Sequence, residues 1–68
     1  MKTYKDIRTE MEMTQKETAD FLGMSKSSYC LIENYKRRFE VTKLISFLKL
    51  YKDKTGNDVD FFTELKVA

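Results

Sequence analysis

The chain has 68 residues, with 13 Lys and Arg against 11 Asp and Glu, a single Cys, and neither His nor Pro. A chain this short forms one small domain, predicted to span residues 1–68, with little room for a deep substrate cavity. One cysteine cannot form an internal disulfide, and without histidine we expect no zinc site, no His-based catalysis and no cofactor. The sequence therefore predicts a protein that is not an enzyme. With no long apolar run for a membrane span or a signal peptide, we expect a cytoplasmic location.

Basic residues are concentrated in the middle of the chain. Residues 25–54 carry eight basic and three acidic side chains, a net of +5, whereas residues 1–24 and 55–68 are mildly acidic. A basic middle is compatible with a surface that faces phosphates. Lysines that only solvate helix faces explain the same charge, so charge alone does not identify a partner.

The first three predicted elements are helices with recognisable ends. The first is expected over about 4–12. The second begins at Thr14 in a Thr-x-x-Glu capping box and ends at Gly23, and the third occupies about 25–34, with Asn34 at its end. Apolar spacing predicts which side chains face inward. These are Tyr4, Ile7, Met11, Thr18, Ala19, Phe21, Leu22, Tyr29 and Ile32.

The rest of the chain is expected to form one long helix and one short one. The long helix covers about 41–52, and a short helix from residue 58 or 60 would bury Phe61, Phe62 and Leu65; a β-like tail over the last ten residues is the alternative. The spacing i, i+3, i+4, i+7 predicts the buried stripe of the long helix, and further apolar residues either pack on the short helix or leave a strip for a homodimer. The stripe is Val41, Leu44, Ile45 and Leu48, and the further residues are Phe47, Leu50 and Tyr51.

The spacing between residues 15 and 32 is the most restrictive pattern in the chain. Ala19 lies four residues before Gly23, and Tyr29 and Ile32 follow that glycine by six and nine residues. Two helices that cross steeply over a three-residue turn need a small side chain where they touch and a glycine in the turn. Helical phase then leaves the side chains of residues 26–28, 30 and 31 outward, which is the geometry of a helix offered to a DNA major groove.

The segment 13–38, MTQKETADFLGMSKSSYCLIENYKRR, resembles the phage-repressor and Cro-type helix-turn-helix family, also called the Xre family. The resemblance implies an all-α, lambda-repressor-like domain of four to five helices with the helix-turn-helix at about 14–34. It implies a buried salt bridge between Arg8 and Glu33. It also implies DNA contacts: Gln15 either touches phosphate or braces the third helix, and the base-reading start of that helix is Lys26, Ser27 and Ser28. By the same resemblance the residues that follow the DNA backbone are Asn34, Lys36 and Arg37. Arg38 extends the densest basic run of the chain, Lys36 to Arg38, which we expect to contact phosphates.

The sequence departs from the family pattern at several points. Tyr35 stands where the family usually has glycine, Thr18 replaces a common leucine, the usual proline before the fourth helix is missing, and the loop over 53–58 looks longer. These departures leave the helix-turn-helix intact and affect mainly the register of the C-terminal third.

Two functions of different classes follow from these expectations. The first is a Cro-like or minimal repressor from a bacterium or bacteriophage, which binds a double-stranded DNA operator as a homodimer. The second is a protein-binding modulator, such as an antirepressor, that docks on a partner repressor through Cys30 and Leu31, because neither side chain makes a strong hydrogen bond to a base. For Cys30 a half-buried structural position is the simpler interpretation.

Overall fold

The structure, a computed structural model, describes residues 1–60 and 63–66. It contains four helices, which are α1 (Tyr4–Glu10), α2 (Gln15–Leu22), α3 (Lys26–Glu33) and α4 (Val41–Thr55). Within the described residues there is no extended sheet, only one isolated bridge between the two ends of the chain. The predicted all-α class is therefore confirmed for the described residues.

The ends of the first two helices follow the sequence signals. Thr3 and Asp6 form a capping box on α1, and Thr14 and Glu17 form one on α2. Each box pairs two backbone N–H groups that the helix itself leaves without acceptors. The hydrogen bonds from the backbone and side chain of Thr3 hold the pKa of Asp6 below its usual range. Such local bonds fix where each helix begins.

Two predicted helix ends are wrong by a few residues. The first helix ends at Glu10 rather than near residue 12, because Glu12 adopts a left-handed conformation with φ of 57° that closes the turn into α2. The fourth helix continues three residues beyond 52, to Thr55, and stops at Gly56 with φ of 75°. In both cases a residue with positive φ follows the end of the helix by one or two positions.

Most of the predicted inward residues of the first three helices are buried, with one exception. Ala19, Leu22, Tyr29 and Ile32 lie in the core, together with Thr18. The buried Thr18 hydroxyl donates a hydrogen bond to the Thr14 carbonyl, so it is not left unpaired. The prediction for Phe21 is wrong, since half of its surface is exposed. The buried face of α2 is the narrow side that lies against α3. Thr18, Ala19 and Leu22 fill this side, and Phe21 therefore remains on the solvent side.

The buried face of α4 differs from the predicted stripe. Val41 and Ile45 are 55% and 49% exposed, whereas Leu44, Phe47 and Tyr51 are buried. The Phe47 ring lies 6.3 Å from the Tyr4 ring in an edge-on arrangement. Aromatic side chains bury more area than branched aliphatic ones, so the helix turns its aromatic side toward α1. The predicted burial was therefore wrong for two of the four stripe residues, Val41 and Ile45.

The C-terminal segment forms no fifth helix in the described residues 57–60 and 63–66. The Lys2 N–H donates to the Glu64 carbonyl at 2.6 Å, and the Lys66 N–H donates to the Lys2 carbonyl at 2.8 Å. These bonds flank a parallel bridge between Lys2 and Leu65, and Leu65 is buried as predicted. The backbone of residues 64–66 thus follows the β-like alternative. Phe61 and Phe62, whose burial was predicted, lie outside the described residues.

Tyr35, which follows the C-terminal cap residue Asn34 of α3, takes a left-handed conformation with φ of 60°. A non-glycine residue in this conformation costs about 1–3 kcal/mol. The Tyr35 ring stacks on Tyr4 at 5.0 Å, and its hydroxyl donates to the Lys66 carbonyl at 2.7 Å. These contacts offset the backbone strain and fix the start of the loop that leads from α3 to α4.

Candidate nucleic-acid interface

The turn between α2 and α3 sets the direction of α3. Gly23 has φ of 70°, and the next residue, Met24, donates its N–H to the Ala19 carbonyl at 3.0 Å. The Ser25 side chain then caps α3 by accepting a hydrogen bond from the Ser28 N–H at 3.1 Å. Since Ala19 is fully buried, the two helices pack closely, and the outer side of α3 is left facing solvent.

The outer side of α3 carries a mixed polar and apolar surface, which we call the reading face. Lys26, Ser27 and Leu31 are exposed, and Cys30 is half-buried. Together with Gln15 from the first turn of α2, these residues line an open depression of about 500 Å³. In the described part of the chain neither the Lys26 ammonium nor the Ser27 hydroxyl has a hydrogen-bond or ion-pair partner, so both are available to a ligand.

Ser28, by contrast, is engaged within the protein. Its oxygen accepts a hydrogen bond from the Ser25 hydroxyl at 3.0 Å and another from Arg37 Nη1 at 2.9 Å. The first belongs to the cap of α3, and the second ties the loop after α3 to the first turn of the same helix. The structure therefore places Ser28 between the cap and the basic loop.

Two amides that were expected at DNA also have partners inside the protein. Asn34 Nδ2 donates to the Cys30 carbonyl at 2.9 Å, which satisfies an acceptor at the end of α3. Gln15 Nε2 donates to Glu33 Oε1 at 3.3 Å, so it contacts the last residue of α3. The resemblance implied that Gln15 either touches phosphate or braces α3, and this hydrogen bond corresponds to the second role.

The basic loop, residues 36–38, lies beside the reading face. Lys36, Arg37 and Arg38 are all exposed, and Arg37 reaches back to Ser28. Arg37 and Arg38 also line a depression of about 220 Å³ together with Lys43. The sequence analysis did not single out Lys43, which looks like any lysine of an amphipathic helix. Its ammonium donates to the Leu22 carbonyl at 2.8 Å, and its positive charge therefore lies at the negative C-terminal end of the α2 dipole.

A buried ion pair fastens the end of α3 to α1. Arg8 Nε donates to Glu33 Oε2 at 2.8 Å, and Arg8 Nη2 donates to Glu33 Oε1 at 3.1 Å. The two side chains are only 11% and 5% exposed. Arg8 Nη1 also donates to the Met13 carbonyl at 2.8 Å, which fixes the turn between α1 and α2. The pair implied by the family resemblance is thus present and joins three helices.

The same geometry shifts the pKa values of Glu33 and Tyr29. Burial alone would raise the pKa of the Glu33 carboxyl, but the hydrogen bonds from Arg8 and Gln15, with the Arg8 charge, hold that pKa below its usual value. Burial, and then the nearby Glu33 charge, raise the pKa of Tyr29. The Tyr29 hydroxyl is buried without a hydrogen bond among the described residues. The end of α3 therefore holds an ionised carboxylate beside a neutral phenol.

The comparisons with known proteins identify the family. The model of the helix-turn-helix family HTH_3 matches residues 5–55, a range that contains α2 to α4, all of α1 except Tyr4, and the residues of the candidate interface described above. No curated protein and no solved structure matches the chain. Among the described residues, no helix has the length and apolar character that a bilayer crossing requires. The chain therefore belongs to the Xre- and lambda-repressor-type helix-turn-helix family, a family of DNA-binding regulators.

Proposed function

We propose that this protein is a Cro-like or minimal repressor that inserts α3 into the major groove of an operator. The observation that carries the proposal is the reading face, where the Lys26 ammonium and the Ser27 hydroxyl point to solvent without partners in the described residues. A lysine can donate to guanine, and a hydroxyl can pair with several base edges. The buried Arg8–Glu33 pair holds the helix that presents them.

The basic loop supplies the contacts to the DNA backbone. Lys36, Arg37 and Arg38 are exposed, and Arg37 contacts Ser28 in the first turn of α3, the part of the helix that would enter the groove. Such side chains bind phosphates irrespective of sequence and set the position of the protein on the duplex. We assign Ser28 and Asn34 mainly to holding this loop and the end of α3, because their hydrogen bonds lie within the protein.

The size of the domain favours a homodimer on DNA. The domain measures 26 × 23 × 19 Å, whereas successive major grooves on one side of DNA are about 34 Å apart. One copy therefore reads one half-site, and a two-fold operator takes two copies. Val41 and Ile45, which lie one turn apart on the exposed side of α4, form the apolar strip that we assign to the contact between copies.

The salt dependence of DNA binding tests the proposal. For each phosphate contact that is removed, the slope of log affinity against log salt concentration should flatten by about one unit. We expect this change for Lys36→Ala and for Arg37→Ala, with a similar loss of affinity on every sequence. The measurement is fluorescence anisotropy with labelled duplexes over a range of salt concentrations.

Lys5→Ala is the matched control for this experiment. Lys5 is an exposed lysine on α1, outside the reading face, the basic loop and the apolar strip of α4. Its removal should leave the slope unchanged. Equal slopes for all three variants and the wild type would contradict the assignment of the basic loop to phosphates. A loss confined to one DNA sequence would show instead that these residues read bases.

A protein-binding modulator is the second candidate function. The observation that favours it is Leu31, which is 43% exposed at the centre of the reading face. An antirepressor would bind a repressor through this surface and block its DNA contacts. A gel shift on the neighbouring intergenic DNA, with and without the divergently encoded regulator, separates the two functions. Direct binding supports the repressor, and a shift that changes only in the presence of the regulator supports the modulator.

A further inference from the structure

The reading face has few polar groups that could identify a base. The Gln15 amide donates to Glu33, the Asn34 amide donates to the Cys30 carbonyl, and the Ser28 oxygen accepts two hydrogen bonds. Lys26 and Ser27, in the first turn of α3, are the polar side chains of this face without partners in the described residues. Direct hydrogen bonding to bases is thus concentrated at the start of the helix.

The second turn of the same face is apolar. Cys30 and Leu31 follow Lys26 and Ser27 by four residues each, so they continue the same two rows along the helix. All four side chains line the depression of about 500 Å³, and Leu31 is 43% exposed in it. A helix that enters a major groove with its first turn therefore brings an exposed leucine against the next base pairs.

The chemistry of base edges restricts what this leucine can recognise. In the major groove, guanine, adenine and cytosine present hydrogen-bonding groups, and thymine also presents the 5-methyl group. An apolar side chain placed on the other bases would cover polar atoms without pairing them, which is unfavourable. Given the proposed function, on which this inference rests, we infer that Leu31, flanked by Cys30, reads the 5-methyl group of thymine in each half-site.

Replacement of thymine by deoxyuridine tests this inference, because it removes only the methyl group. A preferred duplex is first selected from a random double-stranded library with the wild-type protein. Each thymine of that duplex is then replaced in turn by deoxyuridine, and dissociation constants are measured by anisotropy. Burial of one methyl group contributes about 0.8 kcal/mol, so we expect a loss of about fourfold at one or two adjacent positions per half-site.

Two variants assign the effect to the leucine. In Leu31→Ala the penalty for deoxyuridine should disappear at those positions, since the contacting side chain is gone. Lys26→Ala is the matched control, because it lies on the same face; it should weaken binding and keep the deoxyuridine penalty. Both residues are exposed, and circular dichroism spectra that match the wild type would show that the variants are folded.

The outcomes separate this inference from the proposed function. If no position responds to deoxyuridine, or if Leu31→Ala keeps the wild-type penalty, the reading of thymine is overturned. Salt-dependent binding without any sequence preference overturns it as well, but leaves a DNA-binding protein. If the wild type binds no DNA at low salt and instead holds the candidate repressor through Leu31, both the inference and the proposed function are wrong.

Discussion

Removal of Arg8 tests whether the buried ion pair stabilises the fold. In Arg8→Ala the Glu33 side chain, which is 5% exposed in the wild type, loses its two hydrogen bonds from the guanidinium. Loss of one partner of a buried pair costs about 3–5 kcal/mol, and the residual exposure of Arg8 suggests the lower end. A domain of 68 residues has a total stability of about 3–10 kcal/mol. A loss of about 3 kcal/mol therefore removes about a third or more of the free energy of unfolding.

Urea denaturation followed by circular dichroism at low temperature measures this loss. Lys16→Ala is the matched control, because Lys16 forms an ion pair with Asp20 at 2.9 Å that is largely exposed. Such pairs contribute about 0.5 kcal/mol. In the double variant Arg8→Met, Glu33→Met no charge remains buried, and we expect most of the lost stability to return.

Two results would refute the reasoning. The first is a free energy of unfolding for Arg8→Ala that matches that of Lys16→Ala. The second is a double variant whose loss equals the sum of the losses measured for Arg8→Met alone and Glu33→Met alone, since additive losses show that the two side chains do not interact. The expected result is a strong deviation from additivity.

Two further predictions concern acid stability and self-association. Because the folded pKa of Glu33 is lowered, its contribution to stability is complete above the ordinary glutamate pKa of about 4.3 and is lost as the pH falls through the folded value. Urea denaturation at a series of pH values should therefore show a shallower acid loss for Glu33→Gln than for the wild type, and parallel curves would contradict this. Ile45→Glu should shift sedimentation toward the monomer without unfolding the protein, because the side chain is 49% exposed; an unchanged profile would remove Ile45 from the dimer contact.

The helix-turn-helix itself is determined by local features of the sequence. The box of Thr14 and Glu17 and the glycine at position 23 act through hydrogen bonds and backbone angles within four residues, and the structure has these features where they were predicted. The spacing of Ala19 and Tyr29 relative to the turn sets the buried sides of α2 and α3 in the same way. For this reason the orientation of the reading face followed from the sequence.

The hydrogen bonds of the candidate site could be predicted only in part. The pair Arg8–Glu33 followed from the family resemblance, which carries information about contacts across 25 positions. The bond from Arg37 to Ser28 joins residues nine positions apart and depends on the path of the loop, which no residue pattern specifies. Sequence reasoning therefore proposed the residues of the candidate interface and left open which of their polar groups are free.

Only the tertiary structure decided the side of α4 that is buried and the course of the chain ends. The aromatic contact of Phe47 with Tyr4 turns Ile45 outward, and it joins residues 43 positions apart. The bridge between Lys2 and Leu65 joins the two ends of the chain. Tyr35 contacts both ends, because its ring stacks on Tyr4 and its hydroxyl donates to the Lys66 carbonyl, and these contacts stabilise its left-handed conformation. Such choices depend on the volume and hydrogen-bonding groups that distant segments bring together, and a local pattern does not contain that information.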